Sequence, residues 1–301
     1  MLAKVLDILC AAVLRGAEEV LAVRRERGVE INYKEGNELV TLADRQSDRA
    51  IRAIFESRLR ALIPGISLEL EESGASGALT PQRAGADPLD GTEHYASGGS
   101  WYCVQAHYME DGIPLVGAIV QPEAYLPLTE SPECLGRLVY AIKGRGAFHQ
   151  LTTFRAGTFM LGQKRAVQAY RFPKTRSFPA CVPFSVKMTP EDWNRAMLVH
   201  KSGLISSSTG LGGAAANVLM VVFGGHQVYA NIGAGNDLDL IPPQVIAEEA
   251  GLTVWGAERR SPIWHVRTQP VVVAPSERIA DLFCVPRDFK PRISSWRPRA
   301  A

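Results

Sequence analysis

The sequence predicts a mixed α/β fold, because helical periodicity opens the chain, β-like runs fill its middle, and helices and strands alternate towards its end. Leu2, Val5, Leu6, Leu9, Val13 and Val20 fall near helical spacing and give a first helix to about Arg27. A polar loop, Gly28 to Asn37, follows. Ile51, Ile54, Phe55, Leu59 and Leu62 recur at intervals of three and four, so a second helix begins near Asp44 and stops before Pro64. Ile66 to Leu70 reads as a short strand that ends in Glu71 and Glu72. Trp101 to Met109 and Leu115 to Val120 form a hairpin about Glu110-Asp111-Gly112. Leu138 to Lys143 adds a strand closed by Gly144-Arg145-Gly146. Signals weaken from His149 to Lys187, and the domain boundary is expected near the start of that stretch, giving domains 1–150 and 151–301.

In the second half, Thr189 caps a helix with Pro190 in its first turn. Gly212 to Phe223 is an apolar, small-residue helix, His226 to Asn231 a strand, Asp239 to Ala250 a helix ended by Gly251, and Leu252 to Trp255 a strand. Val271 to Ala274 is a last strand, and Ser276 caps a last helix through Phe283.

The 301 residues are enough for one large domain or two packed ones, and a hydrophobic fraction of 46% excludes a disordered chain. Lys+Arg 33 against Asp+Glu 31 leaves no global field to attract nucleic acid or an acidic membrane. The five cysteines are scattered and never spaced Cys-x-x-Cys, which suits neither a disulfide framework nor a zinc ribbon. The six histidines lack metal-binding spacing. Met1 to Val23 is interrupted by charges and fits neither a signal peptide nor a membrane span, so a cytoplasmic location is expected. Ser206 to Gly210 lacks the lysine of a P-loop and reads as a turn feeding the Gly212 helix.

The densest chemistry is Asp87-Pro88-Leu89-Asp90-Gly91-Thr92. Two carboxylates three residues apart suit a hard cation such as Mg²⁺, and the amides of Gly91 and Thr92 suit a phosphate oxygen if a helix starts there. The same residues also suit a surface turn.

Around this motif the sequence resembles the inositol monophosphatase superfamily of lithium-sensitive, Mg²⁺-dependent phosphatases. The resemblance rests on six segments in order: Leu39-Val40-Thr41-Leu42-Ala43-Asp44, Glu71-Glu72-Ser73, Asp87 to Thr92, Lys143-Gly144-Arg145-Gly146-Ala147-Phe148, Gly212-Gly213-Ala214-Ala215-Ala216-Asn217, and Asp239 ahead of Glu249-Ala250-Gly251. It implies a layered αβαβα sandwich with two closely packed subdomains, the first built of two helices on an antiparallel sheet. It also implies two to three Mg²⁺ ions held by Glu71, Asp87, Asp90, Asp239 and the carbonyl of Leu89. Thr92 and Asp44, with Glu71, would handle the attacking water, and Lys34 would lie in a loop that closes on the metals. Gly91, Thr92, Gly213, Ala214, Asn231 and Asp239 would contact the substrate, a small phosphate monoester. A homodimer is a further implication.

The chain departs from the family pattern where Leu70 precedes Glu71-Glu72 and where Leu238 precedes Asp239, and Asp237 is a rival for the last acid. Asn231 stands where inositol-specific members carry Glu, which argues against inositol monophosphate as the best substrate unless the loop before Asp237 has shifted. Pro242 and Pro243 require a helix beginning close to Asp239. A catalytically weak binding or regulatory protein on the same fold is the alternative.

Overall fold

A computed structural model describes residues 1–26, 31–33, 39–78, 80–125, 134–171, 177–182, 189–208, 210, 213–231, 237–256 and 271–284. The chain divides into two compact units. Unit 1 comprises Met1–Val167, Leu211–Ala216 and Leu238–Glu249, and unit 2 comprises the remaining segments.

Unit 1 opens with α1 (Leu2–Glu26), which buries Val5, Leu9, Ala12, Val13, Ala17 and Val20, one stripe of the amphipathic pattern. The expected polar loop instead contains β1 (Ile31–Tyr33), paired antiparallel with β2 (Leu39–Thr41). Helix α2 (Leu42–Ile54) starts at Thr41, whose side chain accepts the Ala43 amide while Asp44 answers with a carboxylate on the Thr41 amide. This reciprocal cap fixes where the helix begins. The helix passes through a π-helical turn, Phe55–Leu59, into α3 (Arg60–Leu62). Gly16 allows α1 and α2 to meet closely, since a Cβ there would lie 2.6 Å from Ser47 Oγ.

Among the described residues nine strands of unit 1 form one sheet. They are β3 (Ser67–Leu70), β4 (Gly74–Ser76), β5 (Gln82–Asp90), β6 (Cys103–Glu110), β7 (Ile113–Tyr125), β8 (Cys134–Ile142), β9 (Ala147–Arg155), β10 (Thr158–Leu161) and β11 (Arg165–Val167). Their order is β10-β9-β8-β7-β6-β5-β3-β4, with β11 beside β9. All pairs are antiparallel except β3 with β5. A boundary at residue 150 would cut β9, which continues the sheet by pairing with β8; unit 1 runs on to Val167 and regains two later segments.

Unit 2 contains α5 (Pro190–Lys201), reached after the short α4 (Thr92–Ala96) of unit 1, and most of α6 (Ala214–Val222). Among the described residues its sheet has five strands in the order β13-β12-β14-β16-β15, built from β12 (Phe178–Cys181), β13 (Ile205–Ser208), β14 (Val228–Asn231), β15 (Thr253–Gly256) and β16 (Val271–Ala274). β12 pairs parallel with both neighbours and the remaining pairs are antiparallel. The serine run expected as a turn is the edge strand β13. Helix α7 (Asp237–Glu249) follows β14, and α8 (Glu277–Phe283) is capped by Ser276 as expected. No helix among the described residues is long and apolar enough to cross a membrane.

Candidate active site

The acidic motif ends β5, and its surface-turn reading fails on burial: Asp87 is 2% and Asp90 6% exposed. In a regular strand, residues three apart face opposite sides. Here a bulge intervenes, because Asp87 pairs with Gln105 and Asp90 with Cys103, so three steps on β5 match two on β6. The Leu89 amide donates to Asp87 Oδ1 at 2.8 Å and closes the bulge. Gly91 then adopts φ +94°, and a Cβ there would lie 2.9 Å from both Gly213 N and Trp101 O, so glycine alone fits. Thr92 starts α4 directly after it.

Helix α2 organises this loop from one face. Thr92 Oγ lies 2.9 Å from Asp44 Oδ1 and 3.0 Å from the Leu89 carbonyl, and Ser47 Oγ donates to the Pro88 carbonyl at 2.8 Å. Burial raises the pKa of Asp44, against the hydrogen bonds from Thr41 and Thr92 that hold its charged form. Glu71 follows β3, whose last residue is in register with Ala86, and its amide donates to the Ala86 carbonyl at 3.2 Å. It is thereby set beside Asp87.

Asp239 arrives on α7. That helix begins at Asp237, so Pro242 and Pro243 lie inside it rather than in the first turn expected for them. Pro243 has no amide to give the Asp239 carbonyl four residues earlier; the side-chain amide of Gln105 approaches that carbonyl instead, at 3.4 Å. The helix can lie flat on the sheet because Gly85 and Gly117 face it: a Cβ on Gly85 would come 2.7 Å from Leu238 Cδ2, and one on Gly117 2.5 Å from the Pro242 carbonyl. Leu238 therefore has a packing role. The far end of α7 is fastened by Glu249, whose two oxygens accept the amides of Gly144 and Gly146, each at 2.7 Å. This contact joins two of the motifs picked out in the sequence.

Electrostatically the acids act on one another. Burial first, then the charges of Glu71, Asp239 and Asp90, push the pKa of Asp87 well up. Asp239 is thus an α7 acid whose charge reaches Asp87. Burial raises Asp90 to about 7 although its oxygens accept the Ala214 amide at 3.0 Å and the Ala215 amide at 2.8 Å. A Cβ on Gly213 would sit 1.8 Å from Asp90 Oδ1. The Ala214 amide thus holds Asp90, and glycine at 213 leaves room for its carboxylate.

Among the described residues no three His, Cys, Asp or Glu already surround one point. The acids stand within electrostatic reach, and their chemistry, buried carboxylates that raise one another's pKa, suits a hard divalent cation. Lys34 lies outside the described residues. Asn231 ends β14 in unit 2, paired opposite Val271. Sequence reasoning missed Asp48, buried on α2, which accepts the Glu72 and Ser73 amides at 3.2 and 3.3 Å. The four-residue spacing of Asp44 and Asp48 on one helix was the signal that could have found it.

Residues 1–290 match the inositol monophosphatase family model. The chain is 28% identical over 142 residues to the histidinol-phosphatase of Mycobacterium tuberculosis, covering 47% of this chain and 50% of that protein. It is 26% identical over 219 residues to inositol monophosphatase 2 of Saccharomyces cerevisiae, covering 72% of this chain and 68% of that one. Its matches thus span about half the length of some curated relatives. The extragenic suppressor protein suhB of Bartonella henselae superposes with a TM-score of 0.72 at 19% identity, covering 93% of this chain and 96% of that chain. The inositol monophosphatase of Anabaena gives 0.68 at 21% identity, over 94% of each. Two layered units, a bulged acidic strand end and a family match along nearly the full length lead to one conclusion: this chain belongs to the inositol monophosphatase family.

Proposed function

We propose that this protein is a Mg²⁺-dependent phosphomonoesterase acting on a small phosphate ester. The observation that carries the proposal is the pair Asp87 and Asp90, both buried at the bulged end of β5 with Glu71 set beside Asp87. Glu71, Asp87, Asp90, Asp239 and the Leu89 carbonyl would hold two to three ions. Bound Mg²⁺ would neutralise these carboxylates and polarise the phosphoryl oxygens.

The chain's own groups do the orienting. The single proton of the Thr92 hydroxyl has Asp44 and the Leu89 carbonyl as acceptors, so its lone pairs are left to accept a hydrogen bond from the attacking water. Asp44, its basicity raised by burial, is suited to draw a proton through that hydroxyl. With the amides of Ala214 and Ala215 committed to Asp90, those of Gly91 and Thr92 are the candidates for a phosphate oxygen. The resemblance gives Asn231 the place of a Glu in inositol-specific members, and one acceptor oxygen with an NH₂ donor disfavours a polyol held by paired hydroxyls.

One observation favours a catalytically weak relative instead: both Asp90 oxygens already accept backbone amides. A phosphate-release screen decides between the two. Histidinol phosphate, fructose 1,6-bisphosphate, phosphoadenosine phosphate and inositol 1-phosphate are assayed with and without Mg²⁺. Mg²⁺-dependent release is expected, with inositol 1-phosphate not ranked first and kcat lowered about 100-fold or more by Asp90→Asn. No release from any ester, or full turnover by Asp90→Asn in limiting Mg²⁺, would refute the assignment.

A further inference from the structure

We propose that Asp48 is a positioning residue for the candidate metal site, setting Glu71 through the backbone that follows it. Asp48 is 2% exposed, and one of its oxygens accepts two consecutive amides, those of Glu72 and Ser73. A carboxylate that gathers successive amides fixes the orientation of the peptide planes it bonds. The residue before them is Glu71, whose own amide is tied to the Ala86 carbonyl on β5. Glu71 is thus held from two directions: by the sheet on its amide side and by α2 on its carbonyl side.

The grip extends along one stripe of α2 at four-residue spacing. Asp44 holds Thr92, Asp48 holds the Glu72 and Ser73 amides, and Arg52 donates through Nε to Ser73 Oγ at 2.6 Å and through Nη2 to the Gly74 carbonyl at 2.6 Å. Asp48 is the middle member and the one placed directly after Glu71. Without it, Arg52 still anchors the later part of the turn, but the peptide between Glu71 and Glu72 can rotate and carry the Glu71 side chain off its bearing.

This inference rests on the Mg²⁺-dependent reading above, and its test keeps the two apart. Binding of Mn²⁺ to the full chain is followed by electron paramagnetic resonance of the free ion, alongside the Mg²⁺ midpoint for phosphate release and the melting temperature. Asp48→Ala is expected to weaken Mn²⁺ binding about 10-fold and to raise the Mg²⁺ midpoint in step, with KM for the ester little changed. Asp48→Asn keeps an acceptor oxygen but loses the charge, and falls between Asp48→Ala and the wild type. Val199→Ala, a core truncation in unit 2, lowers the melting temperature yet leaves Mn²⁺ affinity alone, which separates positioning from general destabilisation. If Asp48→Ala does not fold, Asp48→Asn decides. Mn²⁺ affinity equal to wild type in the folded variant overturns the inference while leaving the phosphatase reading intact. A wild-type protein that binds no Mn²⁺ overturns both.

Discussion

His107 is 4% exposed on β6, and a Cβ on its neighbour Gly85 would come 2.5 Å from its ring. Burial, with a smaller push from the Arg83 charge, drives its pKa from 6.5 down to about 3. Between those two values the unfolded chain takes up a proton that the folded one refuses, so stability falls as pH drops below 6.5. At pH 5 this difference is on the order of 2 kcal/mol. His107→Leu should therefore flatten the fall in unfolding free energy between pH 6.5 and 5, read from urea melts at the two values. Asp90 tilts the other way in the metal-free protein, because a folded pKa raised to about 7 from 3.8 makes stability fall as pH rises through that window. The comparison is therefore of slopes between variant and wild type in one buffer series. Parallel slopes would mean that His107 accepts its proton in place.

Helix α7 shows what local pattern can and cannot reveal. Its existence and its end at Gly251 were legible, as were α1, the capped start of α5 and the β6–β7 hairpin, because periodicity, caps and turn residues are local signals. It starts at Asp237, two residues earlier than the sequence pattern suggests, since the prolines argue for a first-turn position unless a side chain from elsewhere serves the freed carbonyl. Gln105, 134 residues away, does so. The same limit hid β1, β4 and β13, whose short polar runs are strands only by virtue of their partners. In the site, the acids of β5 were legible from their motif and Asp48 was hinted at only by its four-residue spacing from Asp44, whereas the fit of Gly213 against Asp90 depends on a contact that no spacing displays. Glu249 yields a prediction at this scale. Its two charge-assisted hydrogen bonds tie the end of α7 to the β8–β9 turn, so Glu249→Ala should cost about 2 kcal/mol after allowance for partial exposure, measured by denaturant melting. An unchanged midpoint would show the turn to be held by other means.

Unit 1 is not a continuous stretch of chain. It needs Leu211–Ala216 for the amides on Asp90, and Leu238–Glu249 to bring Asp239 and to cover the glycine-lined face at Gly85 and Gly117. A fragment ending at Val167 should accordingly lack a cooperative melt and bind a hydrophobic dye such as ANS; a sharp transition in calorimetry would contradict this. The separation also has a meaning in time. Asp90 and Ala215 are 125 residues apart, so at a synthesis rate of about 5–20 residues per second a nascent chain carries the aspartate for roughly 6–25 s before its amide donor exists. During translation the strand end bearing Asp87 and Asp90 must wait, hydrated or protonated, and chaperone contact or a ribosomal pause in that interval would act on a half-built centre.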